Sequence, residues 1–328
     1  MVIKILAHGD TDGVCSAALA KARFPKAEVW FTRPVTLLKD LEEAQEGDTL
    51  IILDIAINET QKEAIFKRMG ELSSKGEVLY IDHHPLPPRT LKKDVSCTQF
   101  VHQIGASTSE LTFRLFQPFL DPYLDRVALW GAIGDYCEET EFVLETLNKY
   151  NRHTIYMEAG LLSQALGEVP GDYHYKRDVV EFLAKNTPPM EIPEIVERAI
   201  KATKREWETW EYVKKHVVKE GNLAMVLDLP SGSLSKAAFH CIGITGADIG
   251  LATRRGEKEV DMSLRRRAGV KIDLNELLRG IVERIGGSGG GHEGAAGASV
   301  PIELFDLFLE TLKKEISPIL ARDTSLRR

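Results

Sequence analysis

The sequence predicts an α/β protein of two domains, an N-terminal parallel-sheet domain joined by a helical linker to a smaller mixed α/β C-terminal domain. Three observations carry that expectation. Short apolar runs alternate with helical stretches through the first hundred residues, strand character fades between about 107 and 215, and it returns from Asn222. Repeated strand and helix alternation builds a parallel sheet covered on both faces. The expected boundaries are 1–188 for the first domain, 189–220 for the connecting helix and 221–328 for the second domain.

Strands are expected at about 2–7, 28–31, 49–54 and 78–82, where runs such as VIKILA, TLIIL and EVLYI are too uniformly apolar to face water on one side. Helices are expected near 13–24, 36–45 and 58–75. In the helical middle, Pro170-Gly171 and Thr187-Pro188-Pro189 act as breakers, and the stretch from Ile192 through Lys219 reads as the connecting helix. NLAMVLDL, DIGLATRR and KEVDMSLRR then read as strands, followed by a helix through DLNELLRGIVERI, a Gly-rich loop and a terminal helix from near Pro301.

With 328 residues, 43% hydrophobic and 28% charged, the chain can bury a substantial core. No segment approaches the roughly 20 uninterrupted apolar residues of a membrane span, and the N-terminus opens directly on a strand pattern. A cytoplasmic protein without a membrane partner is therefore expected. Cys15, Cys97, Cys137 and Cys241 form no C-x-x-C pair and read as core thiols rather than a disulfide framework or zinc ribbon. A net charge of -7 argues against coating nucleic acid through a global field, although it says little about one local groove. Basic residues cluster late, at Arg254 and Arg255 and at Arg265, Arg266, Arg267 and Lys271; a solvated face is the competing reading for such a run.

The chemistry lies at the strand ends. His8, Asp10 and Asp12 in HGDTDG, Asp54 after TLIIL, Asp82, His83 and His84 after EVLYI, and Asp135 in GAIGDYCEE all follow apolar runs. In an open parallel sheet such positions converge on one crevice. Histidine with several carboxylates is oxygen-rich ligation suited to Mn²⁺ or Mg²⁺, and Gly9 and Gly13 let the backbone pass close to such ions. For Asp10 or Asp12 alone, helix capping is the competing reading; for Asp135, the following Glu138, Glu139 and Glu141 make the polar start of another helix its rival. Asp54 ends so apolar a strand that its charge calls for a cation or donor. Two cations about 3.5–4 Å apart, bridged by one carboxylate, form a clamp for in-line displacement at phosphorus. Phosphoester hydrolysis is the expected reaction.

HGDTDG, LDIAIN, IDHHP and GAIGD, in this order and followed by SLRRRAGVKIDL and GGSGGGHEGAAG, resemble the DHH family of phosphoesterases with its DHH-associated C-terminal domain. That group includes RecJ-type exonucleases and cyclic-dinucleotide and short-RNA phosphodiesterases. The resemblance implies that His8 and Asp10 hold one Mn²⁺, that Asp12, His83 and Asp135 hold the other, and that Asp54 bridges them. It implies further that His84 contacts the scissile phosphate and that Asp82 orients its neighbouring imidazole. Gly289, Gly290, Gly291 and His292 match the family's G-G-G-H substrate loop, and Arg265 matches its S-L-R arginine, both expected to grip phosphate. Glu293, next to that histidine, is a departure that bears on anion capture. The chain leaves no room for the oligonucleotide-binding domain of large RecJ nucleases, and the G-G-G-H loop separates it from the manganese pyrophosphatases.

The leading expectation is a Mn²⁺-dependent exonuclease trimming single-stranded DNA or RNA from the 3' end in DNA repair or RNA turnover. It is similar to compact archaeal RecJ-like nucleases that associate with the Hef repair helicase. Trp207, Trp210 and Tyr212 offer a surface for such a partner, or serve as core positions of the connecting helix. The alternatives are a phosphodiesterase for cyclic di-AMP or very short oligonucleotides, and a non-catalytic nucleotide-binding scaffold. The scaffold would require a broken metal set, and none of the matched positions is substituted.

Overall fold

Five parallel strands in the order β2-β1-β3-β4-β5 form the first sheet: β1 (Ile3–Ala7), β2 (Glu28–Phe31), β3 (Thr49–Leu53), β4 (Glu77–Asp82) and β5 (Gln99–His102). The computed structural model describes residues 2–168 and 171–326, with the side chains of residues 292 and 318–326 outside that set. The α/β architecture follows the expectation, a parallel sheet in the N-terminal part and a mixed sheet in the C-terminal part. The strand at 99–102 lacks an apolar run of its own and is added by pairing to β4.

Alternation along the strands explains the two layers. Ile5, Ala7, Ile51, Leu53 and Ile81 point to one face, and Leu6, Leu50, Ile52, Val78 and Tyr80 to the other. The first face is covered by α1 (Thr11–Arg23), α4 (Thr108–Phe116), α5 (Asp125–Gly134), α7 (Arg152–Glu168) and α8 (Tyr173–Ala184). The second carries α2 (Leu37–Glu42) and α3 (Lys62–Ser73). A short α6 (Glu141–Leu147) completes this half, and Trp130 is fully buried in its core. Burial on both faces is why these strands read as continuous apolar runs.

The chain divides into two compact units, 1–202 and 203–328, and the division falls within α9 (Pro193–His216). The helix expected through Lys219 stops at His216, and Val218–Glu220 is instead β6, an edge strand paired antiparallel to β7 (Leu223–Val226). The second unit's sheet runs β10-β11-β9-β8-β7-β6, with β8 (Ile249–Arg255), β9 (Glu259–Arg266), β10 (Ser288–His292) and β11 (Ala295–Pro301); only β7 and β8 pair in parallel. It packs with α10 (Leu234–Thr245), α11 (Leu274–Ile285) and α12 (Phe305–Leu326).

The Gly-rich segment is the main correction to the sequence reading. It is not a loop but a hairpin: Gly289, Gly290 and Gly291 pair with Ala298, Gly297 and Ala296, and β11 is paired on its other side to β9. Glycine has poor intrinsic strand preference, so the sequence alone signals a loop; the strand is imposed by its neighbour.

Candidate metal centre

Residues just past β1, β3 and β4 bring the site together at the carboxyl ends of three adjacent strands. Backbone bonds continue briefly beyond the sheet, from His8 N to Leu53 O at 3.2 Å and from Asp54 N to Ile81 O at 3.1 Å. These bonds hold the two loops in register. Asp54 takes a left-handed conformation, φ 63°, turning its side chain out of the strand path; Asp and Asn tolerate this better than most residues.

Three overlapping groups of donor atoms result: His8, Asp10 and Asp54; Asp54, His83 and His84; and His83, Asp135 and Cys137. His8 Nδ1 lies 2.7 Å from Asp10 Oδ2 and 3.9 Å from Asp54 Oδ2. His83 Nε2 lies 3.5 Å from Asp54 Oδ1 and 3.1 Å from Asp135 Oδ2. Asp54 thus stands between the His8 side and the His83 side, and Asp135 is delivered by the C-terminal end of α5. Among the described residues no hydrogen-bond donor reaches the buried Asp54 Oδ2. A buried carboxylate oxygen left bare beside other acids fits a cation.

Asp10 does two jobs, since it also N-caps α1 by accepting from Gly13 N at 3.0 Å. The capping reading and the ligand reading are therefore compatible. Asp12 is placed differently: Thr108 N and Ser109 N, at the start of α4, donate to its two oxygens at 2.6 and 2.9 Å. A helix N-terminus favours the ionised carboxylate there. Asp82 turns away from the cluster and orients His84, accepting from His84 Nδ1 at 2.8 Å and His84 N at 3.2 Å, while Tyr80 Oη donates to it at 3.3 Å.

The electrostatics follow from crowding acids in a dry place. Burial pushes the Asp54 carboxyl well above the usual range, reinforced by Asp10 and Asp12. Burial and then Asp135 raise Asp12 to about 6. Burial opposes the charged form of His83, but bonds to Asp135 and Asp54 outweigh it and raise its pKa; at His8, Asp10 likewise outweighs burial. At the half-exposed Asp10 desolvation opposes the charged form, but His8 and the Gly13 amide favour it more strongly, and its pKa falls below the carboxylate range. Metal-free, the cluster retains protons that cations would displace.

Several participants were missed by the sequence reading. Cys137, taken for a core thiol, is half-buried with Sγ 3.8 Å from His83 Nδ1; Cys15 and Cys241 are buried as expected. Thr108 Oγ1 donates to Asp54 Oδ1 at 3.1 Å, and the S-x-x-E spacing of Ser107 and Glu110 marks its helix start. His102 Nε2 donates to His84 O at 2.7 Å. Lys176, only 2% exposed, donates from Nζ to Gly9 O. Gly9 and Gly13 are also hemmed in by protein neighbours: an added Cβ would meet Lys176 Nζ at 2.9 Å and His8 O at 2.3 Å.

In the second unit, Arg265 donates to Leu264 O and Ser235 Oγ and lies over the Phe239 ring, 5.6 Å from its centroid. Gly289, Gly290 and Gly291 lie on β10, and the His292 side chain is outside the described residues. Glu293 is engaged by Arg266 at 2.8 Å, which draws its carboxylate into an ion pair, and Arg267 pairs with Asp248. Arg266 and Arg267 are therefore tied to acids rather than forming a bare basic face.

Comparisons with known proteins place the chain among folds of this kind. Among curated proteins, the alanyl-tRNA editing protein AlaX-L of Pyrococcus horikoshii is 27% identical over 166 residues, 46% of this chain and 40% of that protein. The chain thus matches less than half of that relative's length. Among solved structures, the DHH domain of a member of the S1p family of ribosomal proteins matches 96% of this chain and 86% of its own, at 17% identity and a TM-score of 0.72. RecJ of Thermus thermophilus in complex with Mn²⁺ matches 95% of this chain and 51% of its own, at 15% identity and a TM-score of 0.65. The pGpG-specific phosphodiesterase PggH of Vibrio cholerae matches 98% and 99%, at 15% identity and a TM-score of 0.60. Family models for the DHH N-terminal domain and the DHHA1 domain match residues 2–134 and 221–317. The chain belongs to the DHH family, a DHH N-terminal domain followed by a DHHA1 domain.

Proposed function

We propose that this protein is a phosphodiesterase that holds two Mn²⁺ or Mg²⁺ ions and acts as a 3'-5' exonuclease on single-stranded DNA or RNA, in DNA repair or RNA turnover. The observation that supports it is the position of Asp54, between His8 and Asp10 on one side and His83 and Asp135 on the other. In this reading His8 and Asp10 would hold one ion, His83 and Asp135 the other with Asp12, whose oxygens also accept the Thr108 and Ser109 amides, and Asp54 would be shared by both. Bound there, such ions supply Lewis acidity toward phosphate oxygens and toward water. His84, fixed through Nδ1 by Asp82, presents its other ring nitrogen to the scissile phosphate. Arg265 and the Gly289–Gly291 strand with His292 take the remainder of the substrate backbone. The 3' polarity and a repair helicase partner rest on the resemblance alone, and a cytoplasmic location on the sequence pattern. No helix of the described residues is long and apolar enough to cross a membrane.

A second reading is a phosphodiesterase for cyclic di-AMP or very short oligonucleotides. The pGpG-specific enzyme matches this chain over nearly the full length of both, and so does an exonuclease RecJ bound to manganese, over 95% and 89%, so coverage does not separate the two readings. Incubation with Mn²⁺ and end-labelled strands of graded length, duplexes and cyclic di-AMP separates the two, with Asp54→Ala as control. Products retreating from the 3' end of long strands are expected; turnover confined to dinucleotides would establish the second reading, and activity in Asp54→Ala would overturn the bridging role.

A further inference from the structure

The outward face of α9 carries a feature that the metal centre does not use. Trp207 is 62% exposed. Its ring meets Trp210 edge-on, with centroids 5.6 Å apart, and Lys214 Nζ lies 4.8 Å from the Trp210 centroid. The anchoring face of this part of the helix is elsewhere: Thr209 and Val213 are buried in the second unit. Trp207 is therefore held by a packed helix and braced by a second aromatic ring, with most of its surface in solvent.

The charges around it have a definite sign. Lys204, one turn before Trp207, and Lys214 and Lys215, two turns after it, are exposed on this side against Glu208 and Glu211. That leaves the face positive by one (three lysines less two glutamates) on a chain whose net charge is -7. An exposed aromatic ring flanked by lysines is what a single strand of nucleic acid requires, bases stacking on the ring and phosphates meeting ammonium groups. A second copy of this chain would bring the same excess of lysines against itself.

We infer that the Trp207 face of α9, with Lys204 and Lys214, is a stacking platform for single-stranded nucleic acid. This rests on the phosphodiesterase reading and deepens it, because a stacking platform serves a strand of several bases rather than a dinucleotide. The platform takes bases without sequence preference, since every base has a π face.

The test measures binding of fluorescein-labelled oligo-dT of roughly 20 nucleotides by anisotropy in EDTA, where cleavage is prevented, and dinucleotide turnover in Mn²⁺ as a separate readout. Trp207→Ala is expected to weaken binding of the long strand about 5- to 100-fold, the loss of one stacked base, while Trp207→Phe retains most of it. Lys204→Ala with Lys214→Ala is expected to flatten the dependence on salt by about 0.7 logarithmic units per lost phosphate contact. Binding of the long strand by Trp207→Ala at the wild-type level would overturn the platform. Wild-type protein that hydrolyses the dinucleotide yet does not bind the long strand would also overturn it and leave the phosphodiesterase reading intact. Loss of binding in Trp207→Ala with no turnover of any substrate would support the platform and overturn the hydrolytic reading. A wild-type dimer in sedimentation that Trp207→Ala dissociates would overturn it in favour of a second copy of the chain.

Discussion

Asp54 Oδ1 lies 3.5 Å from His83 Nε2, and the two side chains are 2% and 7% exposed. Each therefore depends on the other, and on whatever cation joins them, for its charge to be tolerable at all. Asp54→Asn is the informative change, because asparagine keeps the shape and accepts the left-handed φ of 63°. Hydrolysis is expected to fall at least about 10³-fold if the bridging carboxylate is essential to charge stabilisation. Metal-free thermal stability is expected to rise by a few degrees, since a buried acid facing Asp10 and Asp12 is removed. Calorimetry with and without Mn²⁺ reads both; an unchanged response to Mn²⁺ would remove Asp54 from the ligand set.

Cys137 stands behind His83 rather than in front of it. Its Sγ approaches Nδ1 at 3.8 Å, while Nε2 faces Asp54 and Asp135. A sulfur acceptor on Nδ1 favours the tautomer whose Nε2 lone pair is available to a metal. Cys137→Ala is expected to lower metal affinity by about 10-fold, with Cys137→Ser intermediate because its oxygen also accepts. Isothermal titration with Mn²⁺ checks this, and equal affinity in all three proteins would reduce Cys137 to packing.

The pH dependence of the metal-free protein has a fixed sign. Asp12 and Asp54 have folded-state values above the ordinary carboxylate value, so the folded protein binds protons the unfolded chain has released, and stability falls as pH rises through that window. For Asp12 the window runs from its ordinary 3.8 to about 6. His8 and His83 are also raised, so their contribution is full below 6.5 and is lost as pH rises through their folded values. Asp10 is lowered, and its contribution is constant above its ordinary value. Metal-free Tm is therefore expected to fall between pH 5 and pH 8, while the increment from saturating Mn²⁺ grows, because cations displace those protons. A Tm without Mn²⁺ that climbs over this range would contradict the assigned shifts.

The strand-end acids were legible because a charged residue after a buried apolar run is visible in one dimension. Their supports were not. Thr108 and Ser109 reach Asp12 through backbone amides from 96 and 97 residues away, and Lys176 reaches Gly9 from 167 residues away. Amides carry no residue signature, and a lysine on a helix reads as solvated until the fold buries it. Trp207 was ambiguous for another reason: at helical spacing a tryptophan fits a core or a surface position, and only the packing shows that the helix turns it outward. The glycine hairpin was hidden because strand identity there is imposed by β11 rather than by its own residues.

That hairpin yields a test which separates structure from binding within three glycines. Gly291 has φ 151°, and an added Cβ would sit 2.4 Å from Ala295 O, so Gly291→Ala is expected to strain the hairpin and lower Tm. Gly290 carries no such strain; a Cβ there meets only Asn275 Oδ1 at 3.5 Å and Arg279 Nε at 3.7 Å. Those are ordinary contact distances, so Gly290→Ala is expected to leave Tm within about a degree of wild type, as a surface change of under roughly 0.5 kcal/mol does. If the strand is bare so that a phosphate backbone can lie against it, the same methyl group obstructs the approach. Gly290→Ala is then expected to raise KM several-fold with kcat little changed, because uniform binding is lost and the chemistry at Asp54 is not touched. An unaltered KM at unaltered Tm would mean that the glycines serve the hairpin and not the substrate.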